Sequence, residues 1–133
     1  MGLKETWHFL TRSHAETGEK HSDESLQTRY YKGNKDKVIE AIEAVVKESG
    51  YTLKRTERER GEIIIEQSSG QRFLLVASVI TVRPFKTAVD FSCSYSTVLP
   101  SDFGKSKRML DAMYKKLDKQ LVYIGSGLGE QLL

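Results

Sequence analysis

Within fifteen residues the chain presents Ser94-Tyr95-Ser96, then Ser101-Asp102-Phe103-Gly104, then Lys107-Arg108. Strand hydroxyls, a helix start with free N–H groups and an arginine in the first turns of that helix are together the equipment for holding an anion. The same residues also suit a structural junction. Ser101 or Asp102 can accept from the unpaired N–H groups of a helix start. Asp102 also sits favourably at the positive end of the helix dipole, and Gly104 admits close backbone approach. Ser94, Ser96, Ser101, Asp102, Gly104 and Arg108 are therefore the candidate binding residues, and the strand-to-helix junction is their expected role.

Nothing else assembles an acid, a base and a nucleophile. His8, His14 and His21 lie near the start, at spacings of 6 and 7 in polar surroundings. Those spacings define no metal site even with Glu16, Glu19 and Asp23 nearby. Cys93 falls on the apolar side of its strand with Phe91 and Tyr95, which makes a buried, inert thiol the expectation. Ser92, Ser94 and Ser96 have no histidine near them in sequence to activate them. A non-enzymatic domain is expected, without catalytic residues, cofactor or metal.

Three further motifs reduce to ordinary features. Gly125-Ser126-Gly127-Leu128-Gly129 has the glycines of a phosphate loop, but the third is one position early and the run follows a helix. Met1-Gly2-Leu3-Lys4-Glu5-Thr6 fits the short myristoylation pattern, and an ordinary N-terminus is the expectation. Lys54, Arg55, Arg58 and Arg60 gather at one hairpin, but Glu57 and Glu59 offset their field, so there is no strong nucleic-acid signal. Tyr30, Tyr31 and Tyr51 are expected as half-buried strand residues.

The elements that position these residues follow from periodicity. Leu26–Tyr31 alternates as a first strand. Gly33-Asn34 breaks it, with Asn34 as a helix cap. A helix over about 35–49 places Val38, Ile39, Ile42, Val45 and Val46 on one stripe and stops at Gly50. Strands follow over 51–57, 62–67, 72–83 and 87–96, separated by turns at Arg58–Gly61, Ser68–Gly70 and Pro84. In the last of them Val89, Phe91, Cys93 and Tyr95 face one way. A second helix over about 103–123 buries Met109, Leu110, Met113, Tyr114, Leu117 and Leu121. The order β-α-β-β-β-β-α predicts an α+β two-layer sandwich: an antiparallel sheet with two helices on one face. Residues 1–25 read as a polar leader anchored by Trp7, Phe9 and Leu10, residues 26–124 as the domain, and residues 125–133 as a flexible Gly-rich tail.

The 133 residues carry 21 Lys+Arg against 18 Asp+Glu, a net charge of +3. This is too small to argue by itself for nucleic acid or an anionic membrane. Net charge runs from −2 over residues 1–25 to +3 over 26–100 and +2 over 101–133. The single cysteine allows no internal disulfide, and no apolar stretch is long enough for a membrane span. A cytoplasmic protein is expected.

One strand carries the functional expectation. Leu75, Ala77 and Val79 make one face of the fourth strand apolar, and Leu74, Val76, Ile80 and Val82 do the same for the other. Helices on one side shelter only one of these faces. Cover for the second comes from the leader, sheet curvature, a second copy or a ligand. The first expectation is an interaction domain that forms a homodimer through this face or takes a protein partner. The alternative is a carrier for a small apolar or anionic ligand, with a cavity between the sheet and the C-terminal helix.

The run from Ser94-Tyr95-Ser96 through Ser101-Asp102-Phe103-Gly104 to Lys107-Arg108 resembles the signature of an uncharacterised family, domain of unknown function 1499. That pattern runs approximately R-S-x-S-R-x-G-x-S-D-x-G-x-N-R-x-R. The family's opening strand and helix are similar to Leu26–Gly50, so the resemblance spans residues 26–121. It carries over Ser94, Ser96, Ser101, Asp102, Gly104 and Arg108. Cys93 and Thr97 stand where the family has arginines, Leu99 where it has the turn glycine, and Ser106 where it has asparagine. The resemblance implies a fold and no particular activity. An anion site built on the family's two arginines would lack both here.

Overall fold

The computed structural model describes residues 14–19, 21, 23–67, 72–95 and 104–127. They form β1 (His14–Glu16), a 3-10 turn (Glu24–Leu26), β2 (Arg29–Lys32), α1 (Lys35–Glu48), β3 (Thr52–Glu57), β4 (Glu62–Gln67), β5 (Phe73–Arg83), β6 (Lys86–Tyr95), α2 (Lys105–Gln120) and β7 (Val122–Ser126). The fold is α+β, as expected, with an extra strand near each end. Strands β3 to β6 make an antiparallel meander, and the full sheet order is β3-β4-β5-β6-β2-β7. β1 also pairs with β6, further along it than β2 does.

α1 begins where the sequence places it. Asn34 Oδ1 accepts from the Lys37 amide at 2.9 Å, satisfying one of the free donors of the first turn. Gly50, at φ +76°, closes the helix in a conformation that costs glycine little. Val38, Ile39, Ile42, Val45 and Val46 are its buried stripe. α2 buries Met109, Leu110, Met113, Tyr114 and Leu117. Both helices press on one face of the sheet, where Ile63, Ile65, Leu75, Ala77, Val79, Val89 and Cys93 are fully or almost fully buried.

The structure corrects five expectations. α2 ends at Gln120, not Tyr123, because Leu121 turns extended at φ −130°, ψ 160°. Val122-Tyr123-Ile124 then runs as an edge strand whose backbone pairs with β2, which satisfies more donors than a frayed last turn would. The supposed flexible tail therefore starts as sheet: Gly125 and Ser126 pair with Tyr30 and Arg29, and the Gly127 amide donates to the Thr28 carbonyl at 2.9 Å. Residues 128–133 lie outside the described residues.

The leader likewise enters the sheet. His14, Ala15 and Glu16 pair with Ser94, Cys93 and Ser92, and Thr17 is buried. Leu26, expected in the first strand, belongs to the 3-10 turn, and its side chain joins the core. Trp7, Phe9 and Leu10 lie outside the described residues. Finally, α2 starts on Gly104, whose φ of 80° marks the cap and which offers no side-chain acceptor. Ser101 and Asp102 lie upstream, outside the described residues, so neither holds the cap position.

Candidate functional site

The described site residues, Ser94, Gly104 and Arg108, fall on two sides of the sheet. From Val89 onward β6 alternates, with Val89, Phe91, Cys93 and Tyr95 buried on the helix side. Ser94 therefore points to the opposite face, where its ladder neighbour is Leu74. Arg108 is exposed on the first turn of α2, its amide bonded to the Gly104 carbonyl at 3.0 Å. A Cβ on Gly104 would come within 3.3 Å of the Arg108 guanidinium. Gly104 and Arg108 are thus adjacent, while Ser94 looks away from the layer that holds them. Ser96, Ser101 and Asp102 lie outside the described residues. Among the described residues, no three His, Cys, Asp or Glu side chains gather as a metal site would need.

Sequence reasoning missed two polar clusters. The first clasps the excursion between β1 and β2. Thr17 and Thr28 both donate to Asp90 Oδ1 at 2.7 Å. The Phe91 amide donates to Thr17 Oγ1 at 2.8 Å. β1 and β2 behave as one broken strand along β6, with Asp90 fastening the neck of the excursion between them. An acid in mid-strand on a polar face was the only trace of this in the sequence.

The second cluster lies between β2, α2 and β7. Arg29 Nη1 sits 2.5 Å from Asp118 Oδ2, and the Tyr31 hydroxyl donates to Asp118 Oδ1 at 2.7 Å. The Arg29 guanidinium lies 4.8 Å from the Tyr114 ring centroid and 5.2 Å from that of Tyr123, a cation–π sandwich. Arg29 Nε is buried without a hydrogen-bond partner. Burial is the largest single influence and works against the Arg29 charge, yet the Asp118 carboxylate, together with Tyr31 and Tyr123, leaves the pKa raised. Burial first, then the bond to Asp118, pushes the Tyr31 phenol far above its ordinary range. Burial does the same to Tyr114, whose hydroxyl donates to the Val89 carbonyl at 2.8 Å. Phenols held neutral and a guanidinium tied to a carboxylate make a stapled corner of the fold. They do not make a reacting acid–base pair.

Among the described residues, nothing covers the face away from the helices. It carries Leu74 at 45% exposure and Ile80 at 60%, with Val76 half-buried between them and Val82 half-buried beyond Ile80. Only one corner is closed: Tyr30 and Ala88 are buried there with Val82 packed on them, and the Tyr30 hydroxyl donates to Glu19 at 2.8 Å. Burial, followed by Glu19, raises the Tyr30 pKa. At the end of this face, the β5–β6 hairpin turns through Pro84-Phe85. Phe85 is 65% exposed at φ +62°.

No family model matches the chain, and no curated protein matches it. The resemblance to domain of unknown function 1499 thus rests on the quoted residues alone. Among the described residues, no helix is long and apolar enough to cross a membrane.

Proposed function

We propose that this chain is a non-enzymatic interaction domain that associates with a second copy through the open face of its sheet. The observation that supports this is the row Leu74, Val76, Ile80 and Val82 on β5, opposite the helix layer. Two of its members are exposed, on a strand whose other side is buried from Phe73 to Val79. Apolar rows of this kind are stable in water when something docks on them. A second copy presents the same row, as a two-fold contact requires. Cytoplasmic residence belongs to the same reading, since the only cysteine, Cys93, is buried and unbridged.

The carrier alternative needs room between α2 and the sheet. Phe91 and Tyr114 meet edge to face there at 5.0 Å between ring centroids. Leu110, Met113 and Leu117 are buried alongside. This packing favours the interaction domain.

Light scattering on the full chain tests the reading. Twice the 15.1 kDa chain mass is expected, falling to the single mass in Leu74→Glu/Ile80→Glu. A monomer at every concentration, with Ile80 amides exchanging at the same rate throughout the dilution series, would overturn it.

A further inference from the structure

We propose that the tip of the β5–β6 hairpin is a docking site for an anionic lipid surface. This goes beyond the self-association reading and is centred on Lys32, Arg83, Lys86 and Phe85, with Ile80 and Val82 common to both. At this end of the open face three cations stand in a row on neighbouring strands: Lys32 on β2 is opposite Lys86 on β6, and Lys86 is opposite Arg83 on β5. Like charges paired across a ladder destabilise a sheet. Lys32 and Arg83 are exposed and Lys86 is half-buried. Among the described residues, none of the three takes part in an ion pair, although Lys54, Arg55, Arg58 and Arg60 at the far edge each have a carboxylate partner. Among the described residues the row is therefore a positive site with no carboxylate partner, within a chain of small net charge.

Apolar side chains surround it. Phe85 crowns the hairpin, Ile80 lies behind, and Val122, 62% exposed, flanks Lys32 across the β2–β7 ladder. Phe85 holds a left-handed backbone conformation that bulky residues avoid. The surroundings fix it there: the Gly33 amide donates to the Phe85 carbonyl at 2.8 Å, and Thr87 Oγ1 donates to the Gly33 carbonyl at 2.6 Å. A strained, exposed aromatic on a rigid tip is what a wedge into a bilayer interface requires, with cations behind it at headgroup level.

Charge complementarity selects this occupant over a second copy. On the same face Glu66 is engaged by Lys54, and Glu57 by Arg55 and Arg60. A second copy therefore brings few free carboxylates to the row. Nucleic acid would supply phosphates, but its bases need stacking surfaces, and the tip offers aliphatic Ile80, Val82 and Val122 beside a single aromatic ring.

Vesicle co-sedimentation of the full chain tests the proposal, comparing phosphatidylcholine alone with phosphatidylcholine plus phosphatidylglycerol. Binding is expected only with the anionic lipid, and it should weaken as salt is raised. Lys32→Gln/Lys86→Gln should lose about 30-fold in affinity, from two cations near the surface. Phe85→Gly should lose about tenfold or more. Glycine is the residue best suited to φ +62°, so this variant keeps the turn and removes only the wedge. Equal binding to both vesicles, no binding to the anionic ones, an unchanged Phe85→Gly, or tighter binding to a single-stranded oligonucleotide would each overturn the proposal. Particle mass is a separate measurement, so failure of self-association is told apart from failure here.

Discussion

The Asp118 carboxylate is shared between Arg29 and Tyr31, two residues of one strand that approach it from the sheet side. It joins β2 to the last turn of α2, next to the point where the chain leaves the helix for β7. Asp118→Ala strands a largely buried guanidinium and a buried phenol together. A loss of about 3 kcal/mol is expected in urea denaturation. Tyr31→Phe should cost about 1 kcal/mol alone and less in the Asp118→Ala background, because both changes remove the same bond. Strictly additive losses would mean that the two partners do not share the carboxylate.

Stability should fall at alkaline pH through Tyr31 and Tyr114. Their folded pKa values are raised by burial, so the folded state disfavours the phenolate. Their contribution is complete below the unfolded tyrosine value of about 10 and is lost as pH rises beyond it. Denaturation curves taken from neutral to strongly alkaline pH should show this decline, flattened in Tyr31→Phe. A decline of equal slope in that variant would assign the effect to other groups.

Asp90 acts as a clasp, and its two conservative replacements should separate. Asp90→Asn retains an oxygen that can accept from Thr17 and Thr28, and a loss of about 1 kcal/mol or less is expected. Asp90→Ala leaves two buried hydroxyls without their acceptor, and about 2 kcal/mol should go. Amide exchange should quicken first over residues 18–27. Uniform quickening across the sheet would contradict a local fastening role.

Two positive-φ positions should respond with opposite sign. Phe85→Gly relieves a left-handed conformation and should gain about 1 kcal/mol. Gly61→Ala would put a Cβ 2.0 Å from the Val79 carbonyl oxygen at φ +68°. It should lose about 3 kcal/mol or more. Thermal melts of the pair check both. A stabilised Gly61→Ala would mean that the β3–β4 turn moves freely away from β5.

Much of the fold could be read from local pattern, because local pattern is what sets it. Asn34 and Gly50 bracket α1 through caps that depend only on neighbouring backbone, and the alternation from Val89 to Tyr95 reports one buried face. β7 was hidden because Leu117 and Leu121 continue the helical stripe, while the β-branched Val122 and Ile124 contribute to a strand only once β2 is alongside. β1 was hidden for the opposite reason: three residues, with Ala15 alone packed on the core, show no apolar alternation, and they pair with β6 through backbone. The serine and aspartate before α2 looked like caps by residue type, yet the cap position fell to Gly104. The cationic row at Lys32, Lys86 and Arg83 could not be seen without the register, since those residues lie far apart in the chain and join only across two ladders.

The placement of β2 between β6 and β7 bears on how the chain is made. Residues 29–32 leave a ribosome early, but one neighbour arrives with residues 86–89 and the other only with residues 122–126. Contacts so distant in sequence form slowly. Until translation passes Ser126, the nascent chain holds β2 with at least one bare side, and Tyr31 lacks the ring of Tyr123 that later packs 6.0 Å from it. A message cut before codon 122 would yield a product with a raw sheet margin, a candidate for chaperones and proteases.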